Sequence, residues 1–134
     1  MAKDIETRDD IDLLVTEFYS AAIPDPEIGH HFKDLDLASH APVMTDFWEK
    51  TIFGRPVYFG NPMVVHQTLD EEEPMPPQHF ARWVEIFVAT VDRLFAGEVA
   101  ENTKLRGRMI ADSLNQRLNE GSRIKGPSNF GQSY

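Results

Sequence analysis

Between Phe80 and Phe95 the stretch FARWVEIFVATVDRLF sets Phe80, Trp83, Val84, Phe87, Val88, Val91, Leu94 and Phe95 at recurring spacings of three and four. At ~100° per residue these side chains share one face, which predicts an amphipathic helix over about 77–96; a half-buried strand would need a period of two. The rest of the chain follows the same rule. Thr7 opens a first helix, because TRDD puts Asp10 at the third position of a capping box. Ile11, Leu14, Val15, Phe18 and Ala22 then form a stripe, with Tyr19 at its edge. IPDPEIGHHF (23–32) reads as a turn enforced by Pro24, Pro26 and Gly29. A second helix over about 39–53 takes Ser39 as its N-cap and tolerates Pro42 in its first turn. Val43, Met44, Phe47 and Thr51 share a face of it, and His40 projects onto that face. NPMVVHQTL (61–69) reads as a short helix capped by Asn61 with Pro62 at its first position. DEEEPMPP (70–77) breaks the chain again. A last helix over about 99–120 carries Leu105, Met109, Ile110, Leu114 and Leu118 and stops at Gly121. The expectation is an all-α domain over 1–121, followed by a disordered tail over 122–134, where apolar periodicity ends.

At 134 residues the chain has the size of one domain with one core. It has no cysteine, which excludes disulfides, thiolate-bound metals and iron–sulfur clusters. Its net charge of -9 disfavours nucleic acid and anionic membranes as partners. No apolar run approaches the ~20 residues of a membrane span. The start, MAKDIETRDD, is charged and lacks the apolar segment of a secretory signal. A soluble cytoplasmic protein is expected.

Among the histidines, His66 lies three residues from Met63 and three from Leu69, on their inward face. His40 precedes Met44 by one turn and Phe47 by two. His79 falls about 40° outside the stripe through Trp83, in the first turn of its helix, so it is expected to be an exposed or N-terminal-turn residue. Either inward histidine can be read as a core residue bonded to a carbonyl. Two of them amid Phe, Met and Trp also suit a flat apolar ligand such as haem, whose iron takes a neutral imidazole. Other metal patterns fail. Glu27 and His30 make a single E-x-x-H in a turn, whereas a di-iron bundle needs two on helices. DLDLASHAPVMT lacks the glycine and glutamate of a calcium loop. DEEE (70–73) reads as a solvated loop, and His30 and His31 read as turn residues, with a pocket mouth as the alternative place for either.

EFYSAAIPDPEIGHHF, HAPVMTDFWEKTIFG, FGNPMVVHQTL, PQHFARWVEIF and RMIADSL occur in this order, within a resemblance that covers about residues 8–118. In these motifs the chain resembles the group III truncated haemoglobins, small bacterial globins. The resemblance implies a shortened globin fold, helices stacked two over two around haem b. It implies that His66 is the proximal iron ligand, that His40 is the distal histidine, and that Tyr19 and Trp83 are the polar distal residues. It implies that Phe32 packs on the haem and that Met44, Phe47, Met63 and Phe80 line the pocket. The sequence departs from the usual pattern at Leu37, where a tryptophan often precedes the distal histidine, in the long acidic hinge at 70–77, and at Gly107 in the last helix.

The resemblance implies a haem protein that binds O2, NO or CO, with redox chemistry on NO, O2 or peroxide as the leading activity. Turnover would need an external reductase, since no flavin or nicotinamide segment is present. A non-catalytic oxygen carrier or gas sensor is the alternative, and a haem-free helical interaction domain a more distant one.

Overall fold

The computed structural model describes residues 2–58 and 75–120, the side chains of Leu118 and Glu120 excepted. All regular structure among them is helical: α1 (Arg8–Ala22), a 3-10 turn (Gly29–Phe32), α2 (Leu37–Phe53), α3 (Pro77–Leu94) and α4 (Glu98–Asn115), with a closing π turn (Gln116–Glu120). The expected short helix at 61–69, most of the acidic hinge and the expected tail lie outside the described residues.

α1 begins as its sequence dictates. The Thr7 hydroxyl accepts from the Asp10 backbone N–H, and the Asp10 carboxylate accepts from the Thr7 N–H at 3.1 Å. Such a cap is worth about 1 kcal/mol. The expected stripe is the core: Ile11, Leu14, Val15, Phe18 and Ala22 are all buried. They meet Ile86, Phe87 and Val91 of α3 in one cluster. α1 packs on α2 and α3 on α4, and contacts of α1 with α3 and of α2 with α4 join the two pairs.

α2 starts two residues earlier than the sequence suggests. Its N-cap is Asp36, not Ser39, whose hydroxyl instead donates to the Asp36 carboxylate at 2.7 Å. Pro42 therefore lies inside the helix, past its first turn. Its ring is exposed, so water can satisfy the carbonyl that proline leaves without a donor. Gly54, with φ 72°, ends the helix in the left-handed conformation that favours glycine.

α4 is capped from a distance. The Asp4 carboxylate accepts from the Val99 and Ala100 N–H groups at 2.9 and 2.8 Å, placing negative charge at the positive helix end. Ile5 beside it is 1% exposed, so one apolar residue of the charged N-terminal stretch joins the core. The inward face of α4 also differs from expectation. Leu105 and Met109 are about half exposed, while Ala100, Thr103, Gly107 and Ala111 are buried. Small residues face α3 because a ring must fit between the helices: a Cβ on Gly107 would lie 2.6 Å from two carbons of the Phe87 ring. No helix among the described residues is long and apolar enough to cross a membrane.

Candidate functional site

A cavity of about 430 Å³ opens between α1, α2, α3, α4 and the 3-10 turn. Seven of the residues marked by the sequence line it: Tyr19, Phe32, His40, Met44, Phe47, Phe80 and Trp83. The other two, Met63 and His66, lie outside the described residues.

Two corners of this cavity are polar. At the first, Tyr19 is buried on α1 and its hydroxyl is 2.8 Å from His40 Nε2 on α2. One group donates and the other accepts, as the imidazole tautomer dictates. Phe18, Phe32 and His40 all meet the Tyr19 ring edge-on, with centroids 5.2, 5.6 and 5.4 Å away. Burial pushes the Tyr19 phenol well above its ordinary value of 10.0. It therefore keeps its proton, and its capacity to donate, throughout the neutral range.

Trp83 stands on the same side. Its ring meets Phe18 edge-on at 5.3 Å and stacks on Phe87 at 5.1 Å with planes 10° apart. Phe87 in turn stacks on buried Trp48 of α2 at 5.0 Å. Gly107 admits Phe87, Phe87 supports Trp83, and Trp48 closes the pile. Among the described residues no hydrogen bond engages the Trp83 indole N–H. Trp48 was not singled out from sequence, although its place one turn after Met44 signals the same face.

The second corner brings His30 and His31 of the turn together with a histidine the sequence placed outside the site. His79 does lie in the first turn of α3, but it is half-buried and lines the cavity instead of pointing into solvent. Its Nδ1 lies 2.9 Å from His31 Nε2, and His30 stands beside both rings. The helical wheel missed this because the partner of His79 is the 23–32 turn, not another helix. The turn is tied to α3 by Asp25, whose buried carboxylate accepts from Arg82 Nε and Nη2 at 3.0 and 2.7 Å. The same carboxylate accepts from the backbone N–H groups of Glu27 and Ile28. Arg82 beside Asp25, with these N–H groups, holds the carboxyl below its ordinary range.

No protein-family model matches the sequence, and no curated protein matches it. Solved structures do match in shape. The group III truncated haemoglobin of Campylobacter jejuni superposes with a TM-score of 0.79 at 23% identity, covering 90% of this chain and 98% of that one. The 2/2 haemoglobin of Synechococcus sp. PCC 7002, solved in the cyanomet state with covalently attached haem, gives 0.71 at 21% identity, covering 85% and 93%. At these identities the likeness speaks for architecture, and it covers nearly the full length of both relatives. The chain has the two-over-two fold of the truncated haemoglobins.

Proposed function

We propose that the cavity holds haem b, with His66 as the proximal iron ligand, and that the chain binds a diatomic gas (O2, NO or CO) beside Tyr19, His40 and Trp83. The residues present suit the group. A volume of about 430 Å³ falls within the range of small-molecule sites, and the walls are apolar apart from a few convergent polar groups. The observation that carries the reading is the meeting of Tyr19, His40 and Trp83 with Phe32, Met44, Phe47 and Phe80 around one cavity. Haem, when bound, supplies reversible coordination of a diatomic ligand and one-electron chemistry at iron.

The protein's own contribution is binding, orientation and exclusion of water. Phe32, Met44, Phe47 and Phe80 offer apolar surface to a flat macrocycle. Tyr19 keeps a proton to donate to a ligand that carries partial negative charge. His40 leaves that proton free for the ligand when its Nε2–H donates to the phenol oxygen, and competes for it in the tautomer whose Nε2 accepts. The Trp83 indole N–H supplies a second donor, held at a fixed angle by its stack on Phe87. Two aromatic donors on separate helices discriminate between gases by acceptor strength as well as by size.

Redox turnover of NO, O2 or peroxide is the finer form of this proposal and needs an external reductase. Carriage or sensing without turnover uses the same residues. The test is the absorption spectrum of the full-length chain supplied with haemin and then reduced under CO. The expected result is one haem per chain, an intense Soret band and a sharp shift of that band with CO. A chain that takes up no haem overturns the proposal.

A further inference from the structure

The histidine corner has a chemistry of its own, and it does not depend on haem. Three imidazoles from two segments converge: His30 and His31 are consecutive on the 3-10 turn, and His79 is in the first turn of α3. One nitrogen from each lies within 4.8 Å of the others. His31 Nε2 and His79 Nδ1 are 2.9 Å apart, and the ring centroids are 4.1 Å (His30–His31), 5.5 Å (His30–His79) and 5.1 Å (His31–His79) apart. Nitrogens bound at ~2.0–2.1 Å around a tetrahedral ion lie about 3.3 Å from one another, so modest rotation of the rings reaches that spacing.

The geometry points to a binding site for a divalent transition-metal ion of borderline softness, with Zn(II) as its representative, held by His30, His31 and His79. Imidazole is the donor such ions prefer, and hard ions such as Mg(II) prefer oxygen. Three nitrogens leave a fourth position for water, the pattern of an open zinc site. The scaffold is already set: Asp25 in the turn clamps Arg82, which follows His79 by three residues, so the backbones carrying the ligands are tied together without metal. His30 is exposed and His31 and His79 are half-buried, so an ion can reach the site from solvent. Lys33 lines the same cavity and opposes a cation, whereas the net charge of -9 favours one overall. The proton between His31 and His79 must leave their facing nitrogens for both to ligate. Binding therefore shifts tautomers at this corner.

The experiment is calorimetric titration of the full-length, chelator-washed chain with Zn(II), repeated for His79→Ala and His30→Ala. A parallel titration with Co(II) follows the visible bands of tetrahedral coordination, and Mg(II) serves as the hard-ion comparison. One Zn(II) per chain is expected, with Co(II) bands and no competition by Mg(II). Losing an outer-shell partner weakens a metal site by about 10–100-fold, so losing a ligand should weaken Zn(II) at least tenfold in each variant and abolish the Co(II) bands. His30 is exposed, so its variant keeps the fold and a negative result in it is readable. The proposal is overturned if the parent takes up no Zn(II), if both variants bind as the parent does, or if Mg(II) displaces the ion, which would assign it to surface carboxylates.

Discussion

The cavity has two corners built around histidine, and they differ in what surrounds the ring. At one, the Nε2 of His40 meets a single buried phenol on a neighbouring helix. At the other, His79 faces two further imidazoles on a turn open to solvent. The same side chain thus shares a proton with a phenol in one place and joins a proposed metal site in the other. Tyr19 fixes the first role because burial keeps it protonated. Asp25 and Arg82 fix the second because they hold two chain segments in register. A histidine's function follows from its neighbours more than from the face of its helix.

The largest effect expected on the Tyr19 side comes from Gly107→Ala. Its new methyl would sit 2.6 Å from the Phe87 ring, which supports Trp83. Overpacking of this kind costs about 1–3 kcal/mol, to be read by urea unfolding. The histidine corner is built on other residues, so its Zn(II) affinity should stay within a few-fold of the parent; a joint collapse of both would show that the corners are not independent.

Trp83→Phe comes next. It keeps a ring to stack on Phe87 and deletes the N–H. A hydrogen bond is worth about 1–1.5 kcal/mol, so O2 release should quicken about tenfold, measured by stopped flow. Carbon monoxide is a poorer acceptor, and its release by laser photolysis should change less. Equal acceleration for both gases would point to altered access instead. Tyr19→Phe and the double variant sharpen this further: donors that compensate for each other give non-additive effects.

Asp25→Asn acts on the other corner and has the smallest effect on gas binding. Arg82 and two backbone N–H groups hold the Asp25 carboxyl below its ordinary value of 3.8. A depressed carboxyl contributes stability in full above its unfolded value, and that contribution disappears as pH falls through the lower folded value. The variant should therefore be less stable than the parent at neutral pH, with the gap narrowing below pH 3.8 in acid unfolding followed by circular dichroism. A gap independent of pH would mean that the carboxylate charge does not hold the turn.

What the sequence made legible was local. The Thr7 box needs three residues, and the α1 stripe and the face of α3 need only a helical period, so Phe18, Phe80, Phe87 and His40 could be placed by spacing. What it hid was long-range. Asp4 caps a helix 95 residues away, and nothing in MAKDIETRDD announces that contact. Leu105 and Met109 have the spacing of core residues, but the room was already taken by Phe87 over Gly107. His79 lies off the helical stripe because its partner is a turn whose path no period encodes. Pro42 looked like a first-turn residue because the Asp36 cap leaves no stronger trace than Ser39 does.

Haem is proposed to enter this cavity with His66, not His79, as its iron ligand. Haem titration of the stripped full-length chain, run side by side with His66→Ala and His79→Ala and followed at the Soret band, tests it most directly. Saturation at one haem per chain is expected in the parent and in His79→Ala, with loss of uptake or of the normal band in His66→Ala. Normal binding in His66→Ala with loss in His79→Ala would contradict it.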